Sequence, residues 1–339
     1  MSNPPTSVEH LPPDSAGPQM AADPPAVVTE GLHHAYGAHI ALKGVALSVR
    51  RGEIFGVLGE NGGGKTTLFK ILSTLMPPTG GRVSLLGRDA LTHPHAIRKR
   101  IGVVFQHASL DPKLTVIENL LHQGRLYGMR GTALKERARM NLDRLGLAGR
   151  SRDRAETLSG GLKRRAELAK ALLHRPDVLI MDEPGTGLDP GARGDFDDYL
   201  AELRESDGTT VLLTTHFLEE AERCDRVAFL HRGEVVALGA PEELKARVGG
   251  DVVAIHSGNP EGLGAKVRER FGCKAQVVRG VLRVERPEGH EFVREVVNAF
   301  PGDIRSVAFG KPTLGDVFVR LTGRGIDDGE AAENEGGTA

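Results

Sequence analysis

Between residues 26 and 240, short runs of β-branched and aliphatic residues alternate with longer stretches in which apolar residues recur at helical spacing. That alternation predicts strands joined through crossover helices into a parallel sheet. Segments 53–58, 101–105, 178–182, 210–214 and 227–230 read as its strands, the most apolar of them central and covered on both faces. A turn at His231-Arg232-Gly233-Glu234 leads back into a strand over 235–238. Three further short segments, 26–29, 45–49 and 83–86, read as a smaller β-rich layer. From 114 to 173 the pattern is almost wholly helical, with Glu118, Arg125, Lys135, Glu136, Arg137 and Arg139 set among Leu, Met and Ala, which predicts a helical subdomain over about 107–173. After Pro241 the style changes. Segments 252–255, 263–271, 275–278, 282–285, 291–300 and 304–309 read strand, helix, strand, strand, helix, strand, the ferredoxin-like order, and a last helix covers 314–321. The expected organisation is therefore an α/β core over 26–245 and a small α+β accessory domain over 246–322, flanked by disordered segments at 1–25 and 323–339.

Composition narrows the functional classes. A chain of 339 residues suits one large core plus a smaller module. Lys+Arg 44 against Asp+Glu 45 leaves a formal charge of -1, which argues against nucleic acid as a main partner. The only cysteines, Cys224 and Cys273, lack neighbouring ligands at metal spacing, so they read as reduced thiols. The longest apolar runs fall far short of the ~20 residues that span a bilayer. Residues 1–25 have neither a basic start nor an apolar stretch, so they do not read as a signal peptide, and a cytoplasmic position is expected.

The chemistry concentrates in three motifs. Gly59-Glu60-Asn61-Gly62-Gly63-Gly64-Lys65-Thr66 fits G-x-x-x-x-G-K-[ST], with a strand before it and a helix after it. In that setting backbone N–H groups curl around phosphate oxygens at a helix N-terminus, Lys65 reaches the outer phosphates and Thr66 offers a hydroxyl to Mg²⁺. A Gly-rich turn with no ligand is the plainer alternative. Second, the apolar run at 178–181 ends in Asp182 and Glu183, placing Asp182 at the carboxyl edge of the sheet and Glu183 where it can act on a water. Alone, the pair reads equally well as a helix cap with an acidic first turn. Third, Leu158-Ser159-Gly160-Gly161-Leu162-Lys163-Arg164-Arg165 taken alone is an ordinary helix cap followed by a solvated basic face.

Together, in this order, these motifs resemble the ABC ATPases, whose signature sequence the Ser-Gly-Gly segment matches. Gln106 after a strand, Gly187-Leu188-Asp189 after the carboxylates, His216 after the 210–214 strand and the upstream Tyr36 match that family in order. The resemblance implies ATP and Mg²⁺ as cofactors. It implies that Tyr36 stacks on the base, that Gly59 to Thr67 cradle the phosphates, and that Thr66, Gln106 and Asp182 complete the metal and water shell. Glu183 would be the general base and His216 would hold it in register. Ser159, Gly160 and Gly161 would act in trans on nucleotide held by a second copy, with Asp189 linking the two sites.

Two positions depart from the family pattern: Leu162 stands where Gln is most common, and Gly63 where Ala or Ser is usual. Neither removes a group assigned to phosphate or metal. Val104-Phe105-Gln106 followed by Ser109-Leu110-Asp111-Pro112, and the ending Pro312-Thr313-Leu314-Gly315-Asp316-Val317-Phe318, resemble the type-two exporter branch, which includes daunorubicin-resistance ATPases. This branch pairs the ATPase with a separate integral-membrane permease, placing the chain at the inner face of the membrane through that partner. The implied cargo is a drug, lipid, polysaccharide or ion. Relatives acting on ribosomes or DNA typically fuse two cassettes or carry long coiled coils, whereas this chain has one P-loop and no heptad run. A regulator that binds ATP without turning it over would not need Glu183 and His216 together.

Overall fold

The computed structural model describes residues 24–323 and 325–326, so the segments expected to be disordered lie almost wholly outside it. β1 (Val27–Tyr36) and β2 (His39–Val49) form a long antiparallel hairpin. β3 (Ile54–Leu58), buried at every position, runs into the glycine loop and helix α1 (Lys65–Leu72). β4 (Gly80–Leu85) and β5 (Arg88–Asp89) complete a four-stranded layer in the order β2-β1-β4-β5. After α2 (Pro94–Arg98) and β6 (Ile101–Val104) comes the helical subdomain: α3 (Val116–Leu126), α4 (Gly131–Arg144) and α5 (Gly160–Ala171). Its entry is fixed by a capping box in which Thr115 and Glu118 each satisfy the other's backbone N–H.

The chain then returns through β7 (Val178–Asp182), α6 (Pro190–Asp207), β8 (Thr210–Thr215), α7 (Leu218–Glu222), β9 (Arg226–His231) and β10 (Glu234–Gly239). The resulting six-stranded sheet has the order β10-β9-β3-β8-β7-β6, with β9, β3, β8, β7 and β6 parallel. β3, β7 and β8 are buried at every position, which explains why they read as continuous apolar runs. The β9–β10 turn is built on Arg232 and Gly233, both at positive φ, the conformation a tight hairpin turn demands.

The hairpin β1–β2 is longer than the 26–29 and 45–49 segments that the sequence predicts. Gly31 sits at φ 53, and the β1–β2 register slips between Thr29 and Leu32 and again twice beyond it. Each bulge resets the face toward which side chains point, so period-two alternation is lost along the strand.

The described chain forms two compact units, divided inside β10 after Val235, earlier than the expected 245/246 division. The cause is α8 (Pro241–Ala246). It packs on the last helix of the second unit, which continues through β11 (Asp251–Ser257), α9 (Pro260–Phe271), β12 (Ala275–Val278), β13 (Val281–Arg286), α10 (Gly289–Ala299), β14 (Ile304–Gly310) and α11 (Leu314–Thr322). The strands pair antiparallel in the order β12-β13-β11-β14, the ferredoxin-like arrangement. Its core gathers Val253, Ile255, Leu263, Val267, Leu282, Val284, Phe292 and Val296 between sheet and helices.

Candidate nucleotide site

The glycine loop is shaped by what approaches it. Gly64 precedes α1 at φ 103, and a Cβ there would come within 2.6 Å of the Ala41 carbonyl on β2. A Cβ at Gly59 would collide with the carbonyl of Leu230. Only glycine satisfies both positions. Gly62 is also at positive φ, while Gly63 donates its N–H to the Glu60 carbonyl (3.1 Å) and accepts from Gly233 (3.0 Å). At Gly63 a Cβ would stand 3.0 Å from the Glu60 carbonyl, tight but placed at an ordinary backbone angle. The Glu60 Oε1 lies 2.9 Å from His231 Nδ1. Asn61 is half-buried at the loop's crest.

Lys65 begins α1 and is 4% exposed, its ammonium donating to the carbonyls of Gly59 (2.8 Å) and Glu60 (3.0 Å) and lying 3.1 Å from Glu183 Oε1. Thr67 is buried and Thr66 exposed beside it. Across the loop, β7 delivers Asp182 and Glu183. Asp182 Oδ1 accepts from the Thr214 hydroxyl on β8 at 2.6 Å. Burial raises the Asp182 pKa, against hydrogen bonds from Thr214 and Thr66 that favour the ionised form. One carboxylate and one hydroxyl at a phosphate-binding loop are the hard oxygen ligands that suit Mg²⁺, whose remaining positions are taken by phosphates and water. Among the described residues no cluster of three or more His, Cys, Asp or Glu could hold a metal by itself.

Glu183 adopts φ 46, a left-handed backbone that costs a non-glycine residue roughly 1–3 kcal/mol and is found where a site dictates it. Its N–H is held by the carbonyl and hydroxyl of Thr214, both at 3.1 Å. Gln106 Nε2 donates to Oε2 at 3.3 Å, and the Thr186 hydroxyl donates to the same oxygen at 3.4 Å. His216 Nδ1 stands 3.2 Å from Oε2, in ion-pair range but too obliquely aligned for a full hydrogen bond. Burial pushes the Glu183 pKa up. Contact with His216 and the charge and hydrogen bond of Lys65 outweigh it and hold the carboxyl at about 2.

Ser159 caps α5, its Oγ accepting from the Leu162 N–H at 3.4 Å. That cap uses the Leu162 backbone alone, so the side chain does not alter how the helix begins. Gly160 and Gly161 face the chain's own Gly187 carbonyl and Ala192, not its glycine loop. Asp189 caps α6 through the Ala192 N–H at 2.9 Å. Tyr36 ends β1 about half exposed, edge-on to His34 and donating to Met76 Sδ. The structure thus joins Lys65, Gln106, Asp182, Glu183 and His216 into one cluster, and sets Gly160 and Gly161 beside the 187–192 segment that contains Asp189. A cleft of about 590 Å³ lined by Arg51, Arg137, Arg144 and Arg175 opens at the opposite ends of β7 and β8 and contains none of these groups.

Comparison with known proteins places this geometry. Residues 42–186 match the family model described as "ABC transporter". The chain is 40% identical over 304 residues to the daunorubicin resistance ATP-binding protein DrrA3 of Streptomyces coeruleorubidus, covering 88% of this chain and 96% of that protein. The chain belongs to the ABC transporter family. It is 39% identical to the Nod factor export ATP-binding protein I of Ralstonia nicotianae over 310 residues, 90% of this chain and 96% of the relative. A dimeric ATP-binding cassette in a post-hydrolysis state with ADP and Pi aligns with a TM-score of 0.59 and 30% identity, over 63% of this chain and 98% of that one. The protein is an ABC ATP-binding subunit that hydrolyses ATP. No helix among the described residues is long and apolar enough to cross a membrane.

Two groups in this ABC subunit escaped sequence reasoning. Arg164, read there as part of a solvated basic face, is 5% exposed. Its guanidinium donates to the carbonyls of Phe105 (2.5 Å), Gln106 (3.1 Å) and Glu183 (3.4 Å) and pairs with Glu167 at 3.2 Å. The spacing of Arg164 and Glu167, three apart on one helix face, was the available signal. Thr214 left no signal, since a threonine in an apolar strand reads as β-propensity alone.

Proposed function

We propose that Glu183 is the general base for water attack on ATP held by Gly59 to Thr67, and that Thr66, Asp182 and Gln106 hold Mg²⁺. The observation that carries this reading is the Glu183 carboxylate, buried at the edge of the sheet with Lys65, Gln106 and His216 on it. A carboxylate kept ionised and anchored in a strained backbone is poised to accept a proton. The bound Mg²⁺ would supply charge for the developing phosphate oxygens. Lys65 would exchange its contact with Glu183 for the outer phosphates, freeing the carboxylate for water, with His216 keeping it in register. Tyr36 would stack on the adenine.

A second copy of the chain completes the site in this proposal. Ser159, Gly160 and Gly161 reach nucleotide on the partner, and Asp189 links the two sites. The placement of the Ser159 segment beside Asp189, and the dimeric form of the similar cassette, support it. The integral-membrane permease would hold the pair at the cytoplasmic face of the membrane and export a drug, lipid, polysaccharide or ion; the relatives' names, daunorubicin resistance and Nod factor export, support an exported cargo. The ferredoxin-like unit holds none of these ligands and would be regulatory or dimer-stabilising. Glu183→Gln tests the reading: nucleotide binding persists, turnover falls about a hundred- to ten-thousand-fold, and an ATP-bound dimer accumulates that Ser159→Arg abolishes. Wild-type turnover by Glu183→Gln removes Glu183 as the base; a dimer untouched by Ser159→Arg removes the two-copy site.

A further inference from the structure

The two loops that carry the reacting side chains leave neighbouring strands. One, from Glu183 to Asp189, joins β7 to α6, and the other, His216-Phe217, joins β8 to α7. Between them lies a buried ionic contact that the mechanism above does not use. Glu220, on α7, is 2% exposed, and neither carboxylate oxygen has a well-aligned hydrogen-bond donor. It is pressed against the first loop so closely that a Cβ on Gly185 would fall on Oε1. Gly185 has an ordinary backbone, so its lack of a side chain serves space and not conformation.

The cation facing this carboxylate is Arg193, in the first turn of α6, with Nε 3.9 Å from Glu220 Oε1. Its guanidinium touches both loops at once. Nη2 donates to the carbonyl of Leu188 at 3.4 Å, beside Asp189. Nη1 donates to Glu219 Oε2 at 3.5 Å, and the guanidinium carbon sits 3.7 Å over the Phe217 ring. Phe217 in turn lies against His216, ring centroids 4.1 Å apart, and His216 reaches Glu183. A planar cation over an aromatic face is drawn to the negative face of the ring, the more so where water is excluded.

We infer that Arg193, held by Glu220, is a positioning residue that ties the Gly187–Asp189 loop to His216 through Phe217. The inference rests on the role of His216 proposed above and extends it. Motion of the loop facing the second copy reaches the His216 ring through one guanidinium, and Gly185 provides the room for the carboxylate that anchors it. Arg193 touches neither substrate nor reacting atoms, so its loss acts on turnover and spares nucleotide binding.

The experiment measures steady-state ATP turnover by the full chain bearing Arg193→Leu, Arg193→Lys or His216→Ala, and by Arg193→Leu combined with His216→Ala. Expected for Arg193→Leu is a kcat lowered roughly ten- to a hundredfold, the cost of displacing a reacting group by about an ångström, with KM for ATP within about threefold of wild type. The combined variant should be no slower than His216→Ala alone, because Arg193 acts through that ring. Arg193→Lys keeps a cation beside Glu220 and carries the same comparison where Arg193→Leu does not fold; it should lose kcat, not KM, and add nothing to His216→Ala. Unchanged kcat in a folded Arg193 variant, or losses that multiply in the combined variant, overturns the inference. Wild-type turnover by His216→Ala overturns the parent assignment and this inference with it, an outcome distinct from the other two.

Discussion

Lys65 and Glu183 illustrate how a ligand site stores opposite charges. Each is nearly sealed from water and each is the other's counter-ion. Removing one partner of such a pair leaves an uncompensated buried charge, which costs more than the pair contributes. Lys65→Ala should therefore lose most nucleotide affinity or turnover, since the charge proposed to meet the outer phosphates would vanish from the glycine loop; ATP titration and phosphate release check both. Leu162 sits at the other extreme. Because its backbone N–H and not its side chain meets Ser159 Oγ, Leu162→Gln should change turnover by less than about tenfold, about 1.4 kcal/mol in the barrier. A larger change in kcat would show the side chain to set the signature geometry.

At the scale of elements, arginines link the acidic residues of α6 and α7, Arg193 meeting Glu219 and Glu220, and Arg223 meeting Asp197 and Asp198. Asp197 on α6 is pushed up to about 7, first by burial and then by the charge of Glu220, with Arg223 and Arg193 opposing and Asp198 adding slightly. The folded state therefore holds a proton that the unfolded chain releases near pH 4. Between about pH 4 and 7 the native form binds more protons, so stability contributed by neutral Asp197 falls as pH rises through that window. Melting temperature should drop from pH 5 to pH 8, and Asp197→Asn should flatten that slope and raise stability at pH 8; thermal melts across the range decide it. Such pairings across helices were not legible in the sequence, because they join positions with no shared local pattern. What is legible follows period and punctuation: β3, β7 and the Val211–Leu213 centre of β8 as apolar runs, the ferredoxin-like order of the second unit, and the strand, glycine loop and helix around Lys65. The bulges of the β1–β2 hairpin erase the alternation that would show its length, and nothing local marks the packing of α8 on α11. Arg164 looks like any solvated cation until the carbonyls of Phe105 and Gln106 are in place around it.

For the whole molecule, every nucleotide-site group named above lies between Tyr36 and His216, and the second unit has a core of its own. A chain ending at Gly249 should fold and bind ATP, with α8 frayed for want of α11; failure of a folded, soluble product to bind nucleotide would mean that the second unit belongs to the site. The guanidinium of Arg164 carries a consequence at the same scale. It fastens α5, whose tip is Ser159, to the backbone of Gln106 and Glu183. In the two-copy arrangement proposed above, the helix that would meet the neighbour's nucleotide is also the one fastened to the backbone of the proposed base, so each site would report on the other. Turnover should then rise sigmoidally with ATP, with a Hill coefficient approaching about 2, and Arg164→Leu should flatten the curve toward a hyperbola even where some activity remains. A hyperbolic wild-type curve would mean that the two sites fire independently.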